Sequence, residues 1–400
     1  PKHRDRYHPI ITAMVSHPLL IVMTLLAIEL LILGLARHER TKAWFNLLPP
    51  VFWIYFIPML AATFGLLDPK QPIYGLITTW LLPASLLLLL LPVDLKAIIR
   101  LGPTALAIFF SGAAGIIIGA ALVFKLFKPL IGERFWSGFG ALSASWTGGS
   151  ANMIAVKEAL AVPDQVFAPM VIVDTVVPYL WMAALIAGVA WQPAFDRWNR
   201  ADRRIIDELG SRIAEAGQAV QQRFSPAGFL LILPAAAAGS GLSHWLGSQL
   251  PVIKDVISGY TWTILLVSLL GLGLSCTPAR NLEKHGASKL GSWLLYFVLT
   301  AIGAKASVAS IGSGLVLIGA GLLIMAVHAL FLLMAARLLK APLFLVAAAS
   351  QANVGGVASA PVVAEVYQPG LASVGLLLAI LGNIFGTWLG ILCAQLCRLL

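Results

Sequence analysis

The sequence predicts an all-α polytopic membrane protein made of two repeats. Three observations carry that reading: an excess of apolar residues, the length of the apolar runs, and a Gly-Gly element that occurs once in each half. Of 400 residues, 59% are hydrophobic and 11% charged, whereas a globular surface alone needs about 25% charged residues. Apolar runs fall near 18–36, 47–67, 73–91, 104–124, 166–190, 227–247, 259–276, 291–309, 313–336 and 371–397. At about 1.5 Å per residue, each is of a length that crosses a hydrocarbon core. Two further stretches, 135–160 and 342–364, are apolar but broken by Gly, Ser, Thr and Asn.

The net charge of +10 arises from 27 Lys+Arg against 17 Asp+Glu. These cations lie between apolar runs rather than on one polar face, so they report topology and not a nucleic-acid partner. Cys276, Cys393 and Cys397 supply neither a metal framework nor an even disulfide set. Cys393 and Cys397 share a helix face, which points to packing. The expected location is a bacterial-type cytoplasmic membrane, crossed many times.

The segment 191–226 is the one sizeable polar stretch, with Arg197, Arg200, Arg203, Arg204, Arg212 and Arg223 interleaved with acidic residues. Ile206, Leu209, Ile213, Ala216 and Val220 recur at helical spacing, predicting an amphipathic cytoplasmic linker. It separates an N-terminal membrane repeat, 1–190, from a C-terminal one, 227–400. Ser143-Ala-Ser-Trp-Thr-Gly148-Gly149-Ser-Ala151-Asn152 aligns without a gap with Ser350-Gln-Ala-Asn-Val-Gly355-Gly356-Val-Ala358-Ser359. The agreement falls on uncommon residues, so duplication explains it better than chance.

Orientation follows from counting. If the interrupted stretches cross, there are twelve spans and parallel repeats; if they dip in and return, there are ten spans and inverted repeats. Loop charge by itself favours twelve. Two arms of about 11 residues reach about 16 Å, enough to enter and return, and paired broken helices at the midplane are a recurring device for alternating access. The reading adopted is therefore ten spans with two re-entrant Gly-Gly segments.

Leu48-Pro-Pro-Val-Phe-Trp-Ile-Tyr55, Val93-Asp-Leu-Lys96, Trp146-Thr-Gly-Gly-Ser-Ala-Asn152 with Val156-Lys-Glu-Ala159, Asn353-Val-Gly-Gly356 and Leu381-Gly-Asn-Ile-Phe-Gly-Thr387 resemble the YjcL-like integral membrane proteins, a family named as a domain of unknown function. The resemblance implies a multispanning membrane protein. The plan of two halves, each with an interrupted Gly-Gly segment before its last span, is also similar to bacterial sodium/glutamate and sodium/citrate symporters. That likeness implies inverted repeats, re-entrant loops and a moving transport domain. The tips here, Thr147-Gly-Gly-Ser150 and Val354-Gly-Gly-Val357, lack the Gly-Gly-x-Gly of the citrate family.

A helix broken inside a bilayer frees N–H and C=O groups that lipid cannot satisfy. Gly148, Gly149, Gly355 and Gly356 admit a positive φ and close approach of a ligand. The half-helix N-termini beyond them offer donors to a carboxylate, and Ser145, Thr147, Ser150, Asn152, Asn353 and Ser359 add hydroxyls and amides. Asp174 lies in the apolar run Val171-Ile-Val-Asp174-Thr175-Val-Val-Pro178, where a carboxylate is costly unless functional or paired. Asp174, Thr175 and Asn383 are the expected coupling-ion residues, with Na⁺ a candidate ligand at Asp174. Pro178 frees the Asp174 carbonyl from its helical bond. Glu29 and His328 are expected to be packing residues, the latter a satisfied core histidine, and Lys305 is expected to reach the interface.

The expected function is secondary active transport of a small anionic or zwitterionic organic solute (a carboxylate, amino acid or short peptide) driven by Na⁺ or H⁺. No catalytic residues, resident metal or cofactor are expected, and the expected assembly is a homodimer. The alternative is a membrane-embedded enzyme or processing factor for a lipid-linked substrate, which requires clustered intramembrane His, Asp or Glu. Only Asp174 and Glu29 are deep, on separate helices.

Overall fold

The computed structural model describes residues 15–41, 44–45, 50–202, 204–206, 208–209, 211, 226–253, 258–306 and 314–400. Among the described residues the regular elements are all helices. The first half contributes α1 (Pro18–Arg37), α2 (Pro50–Thr63), α3 (Ile73–Leu90), a short α4 (Leu95–Ile99), α5 (Gly102–Ile131), the pair α6 (Trp136–Gly148) and α7 (Ser150–Ala159), and α8 (Asp164–Gly188). After α9 (Gln192–Asn199), the second half contributes α10 (Pro226–Gln249), α11 (Gly259–Ser275), α12 (Ala287–Lys305), α13 (Gly314–Leu339), the pair α14 (Leu343–Val354) and α15 (Gly356–Tyr367), and α16 (Ala372–Leu399).

Eight of these helices are long and apolar enough to cross a bilayer. They coincide with eight of the ten expected runs. The other two runs give α2 and α11, of 14 and 17 residues. The chain leaves α2 at Gly65, where φ is +76°, and turns through 94° after α11 into a 3-10 helix, Pro278–His285.

Packing divides the helices into two bodies. α1, α2, α3, α10, α11 and α12 form one; α5 to α8 and α13 to α16 form the other. Pairings are exchanged between the halves: α3 lies along α12, α11 on α3 and α2 on α12. In the second body α5 lies along α13, α16 on α5 and α8 on α13. Between the bodies, Asp94 caps α4, accepting from Ala97 N–H at 3.0 Å and pairing with Arg280 at 2.8 Å. Burial pushes the Asp94 carboxyl up, but these two partners outweigh it and hold it below the usual carboxylate range.

Each interrupted pair folds back on itself. Arg134, just before α6, donates to Gln165, just after α7, at 3.3 Å, and a Cβ on Gly138 would collide with Val166. Those residues flank the start of α8. The second pair closes at the other end of α8: Tyr367 donates to Leu185 O at 2.6 Å, and the Asp196 carboxylate accepts from Leu343 N–H at 2.8 Å. The twenty residues of α8 from Gln165 to Leu185 separate the two closures by about 30 Å. The bases of the two hairpins therefore lie far apart, and their Gly-Gly tips point toward the middle of α8.

Small residues seat the first hairpin. Gly140, Ala144 and Gly148 on α6 face Gly382, Gly386, Gly390 and Ala394 on α16, so closely that a Cβ at Gly390 would lie 2.9 Å from Gly140 O. Spacing of four on both helices keeps one face free of side chains and lets the backbones touch. Gly112, Gly115 and Gly119 admit α13 against α5 in the same way; a Cβ at Gly115 would lie 2.8 Å from Phe331 Cβ.

Part of the polar linker docks on protein. Asn199 donates to Ala336 O and Ala341 O at 3.0 and 2.8 Å, and Leu209 is buried in the core cluster that includes residues of α13 and α14. Ile213, Ala216 and Val220 lie outside the described residues.

Replacing Gly390 by Val should cost at least about 1–3 kcal/mol through overpacking, lowering the thermal unfolding temperature in detergent. Gly319→Ala, on a face of α13 where a Cβ meets nothing within 4 Å, should leave it unchanged or higher.

Candidate functional site

A cavity of about 400 Å³ lies where the two hairpin tips meet the first body. Its walls are Ser145 and Gly148 of α6, Gly149, Ser150 and Asn152 at and after the first break, Asp174, Thr175 and Pro178 of α8, Gln351, Gly355, Gly356 and Ser359 of the second hairpin, and Asn383 of α16. The first body closes it with Leu86 and Leu89 of α3, Ser268 of α11, and Ser292, Leu295 and Tyr296 of α12. Of the sequence-predicted residues, Ser145, Gly148, Gly149, Ser150, Asn152, Asp174, Thr175, Gly355, Gly356, Ser359 and Asn383 converge here from five chain segments.

Thr147 and Asn353, also expected as ligand residues, do not line it. A helical turn rotates each away from the tip face. Thr147 is fully buried and donates to Ser143 O at 2.8 Å. Asn353 is fully buried against Gly112, its amide without a partner.

The two breaks differ in construction. At the first, Gly149 has φ +83°, and α7 begins without a side-chain cap. Asn152 ties this tip to α16: its amide donates to Gly148 O and Asn383 O, and its carbonyl accepts from the Thr387 hydroxyl. At the second, Gly356 has φ +64°, and α15 also begins without a side-chain cap. Gln351 donates across the break to Ser359 Oγ at 2.8 Å. Residues eight apart in a straight helix would stand about 12 Å apart, so this bond itself requires the fold-back.

Asp174 faces Ser145 and Trp146 of α6. Thr175 turns its hydroxyl back to Val171 O at 2.8 Å, leaving its oxygen lone pairs as acceptors. His328 lies outside the cavity in a closed chain: its Nδ1–H donates to Gly112 O at 2.9 Å. Its Nε2 accepts from the Ser350 hydroxyl at 2.9 Å, and Ser350 Oγ accepts from Trp181 Nε1–H at 2.8 Å. Of the two neutral tautomers only Nδ1–H satisfies all three bonds, which makes it the satisfied core histidine expected. Glu29, also buried, lies near Tyr296. Cys393 packs its thiol 3.1 Å from the Ser143 hydroxyl.

The hairpins are held unequally. The first packs on α11 and α3, with Thr261 donating to Ala159 O at 2.6 Å. At its base the buried Lys157 pairs with Glu158 at 2.8 Å and Asp164 at 3.1 Å. The second hairpin leaves Val357, Val362 and Val366 of α15 exposed, and Glu365 closes its exit by accepting from Gly370 N–H at 3.0 Å.

A family model described as protein of unknown function (DUF819) matches residues 20–400. The chain belongs to that family. It is 25% identical over 354 residues, 83% of this chain and 86% of the relative, to the protein named "Uncharacterized membrane protein YjcL" of Bacillus subtilis (strain 168).

Sequence reasoning missed several wall residues. Gln351 carried a readable signal, an amide one turn before Gly355. Ser268, Ser292, Leu295 and Tyr296 carried none, since a single hydroxyl or apolar side chain in a long span looks like any packing residue.

Neighbouring glycines should fail for different reasons. A Cβ at Gly148 would collide with Gly382 O and lie 2.7 Å from Gly386 Cα, so Gly148→Ala should lose at least about 1–3 kcal/mol of stability. Gly356 has open space but φ +64°, so Gly356→Ala should lose about 1–2 kcal/mol from backbone strain alone. Thermal unfolding of the two purified variants checks the order.

Proposed function

We propose that the protein is a secondary active transporter for a small anionic or zwitterionic organic solute, coupled to Na⁺ or H⁺. The observation that carries this reading is the convergence of two broken-helix tips and one carboxylate on a single cavity between two helix bodies. Broken helices at membrane depth are tolerated where they line a cavity, and their ends supply N–H donors to anions and carbonyls to cations. The described cavity wall includes no histidine, cysteine or second carboxylate, the groups that most often activate a nucleophile in an enzyme site. Transport requires neither.

In this reading the halves form an inverted repeat, each hairpin entering from its own face of the membrane. The body of α5 to α8 and α13 to α16 carries the solute, moving against α1 to α3 and α10 to α12. The packed first hairpin and the exposed second one are, in this reading, the features of a state open toward the side of α9, taken as cytoplasmic because the loops on that side carry the larger share of Lys and Arg.

The charge of the cavity explains why coupling would be obligatory. Asp174 is the only side chain of formal charge among the described wall residues. At an effective dielectric of about 20, two like charges 4 Å apart repel by about 4 kcal/mol. An anionic group therefore enters readily only when Na⁺ or a proton neutralises Asp174. Linkage then requires that the solute raise cation affinity by the same factor.

Two expected outcomes test this reading. In proteoliposomes, wild type should accumulate solute under an inward Na⁺ or H⁺ gradient, and each ligand should strengthen binding of the other. In Asp174→Asn that mutual dependence should vanish, leaving at most cation-independent exchange; full gradient-driven accumulation by the variant would remove Asp174 from coupling. Separately, single cysteines at Lys70 and Glu133 should react with an impermeant reagent from outside whole cells, and one at Arg204 should not. Protection of both Lys70 and Glu133 positions would restore twelve crossings.

A further inference from the structure

We infer that the transported solute is a zwitterion of amino-acid or dipeptide type, and not a dicarboxylate. This rests on the transporter reading and narrows it by an inventory of what the cavity offers to each part of a ligand.

The described wall lacks a side-chain cation. It contains no Lys, Arg or His, so a solute with two carboxylates would have no side-chain cation to answer either. With Asp174 neutralised by the driving cation, the wall is uncharged and favours a ligand of zero net charge.

The uncapped helix starts offer a place for one carboxylate. α7 and α15, of 10 and 12 residues, both begin at the cavity and both lack a side-chain cap. Their first-turn N–H groups carry the partial positive charge of a helix N-terminus, an amount suited to a single anionic group.

The Gln351 carbonyl offers a place for an ammonium group. Gln351 is 1% exposed and lines the cavity, and its Oε1 has no hydrogen-bond partner while its Nε2 is committed to Ser359. A buried acceptor left empty is costly, and an ammonium group, with three donors and no acceptor, satisfies it. Gln351 sits one turn before the start of α15, so an acceptor and a set of N–H donors flank the same tip. The α-amino and carboxylate groups of one small molecule match that pairing. A cavity of about 400 Å³ lies at the small end of ligand pockets, which limits the solute to roughly a dipeptide.

The test uses the purified full chain in detergent, with Na⁺ present and again at acid pH. Titration with the common amino acids and with alanyl-glutamine identifies the tightest zwitterion, which is then compared with its deaminated and decarboxylated counterparts and with succinate. The zwitterion should bind at least about tenfold more tightly than either counterpart, since each leaves one group of the site unpaired, and succinate should not bind. Gln351→Leu should weaken the zwitterion about tenfold while leaving the deaminated acid unchanged. Binding of succinate or of the deaminated acid as tightly as any zwitterion would overturn the inference and leave the transporter reading standing. A zwitterion that binds as described but never crosses a proteoliposome membrane would uphold the site chemistry and overturn the transporter reading.

Discussion

A peptide group inside hydrocarbon has to find its hydrogen bond within the protein, and that constraint governs this molecule. Eight helices are long and apolar enough to meet it by crossing unbroken. The two hairpins do not, since each stops at a Gly-Gly pair and turns back, exposing amide and carbonyl groups at its tip. Such a tip persists only where other groups face it. Asn152 and Thr387 answer the first tip from within the same body, and Gln351 and Ser359 brace the second. The tips line the cavity, so the breaks in the helices and the polar wall of the cavity have one origin.

Close packing is what holds a broken segment at the required depth. Short arms have little surface of their own, and lipid provides no hydrophobic drive for helix association. The rows of Gly and Ala on α6 and α16 compensate by bringing backbones into contact over three turns. α13 reaches α5 across Gly112, Gly115 and Gly119, and the neutral His328 chain with Ser350 and Trp181 then links α5, α13, α14 and α8 through fully used donors and acceptors. Those contacts stiffen one body internally. Between the bodies, by contrast, the cavity interrupts the contact, and the second hairpin packs on α11 and α3 less than the first does.

Composition and run length determined the membrane class, the helical fold and most span positions, because burial in lipid acts on each residue whatever its tertiary neighbours. The internal repeat determined which segments are interrupted, and the cost of an intramembrane carboxylate singled out Asp174. Eleven of the thirteen residues chosen on those grounds share one cavity. Chain pattern did not decide which face of an arm each side chain takes, and Thr147 and Asn353 turned inward because rotation about a short helix is set by its neighbours. Nor did it reveal the wall supplied by Ser268, Ser292, Leu295 and Tyr296, or which contacts hold each returning arm in place. Those depend on contacts between segments tens to hundreds of residues apart, made by side chains whose local sequence is indistinguishable from ordinary span packing.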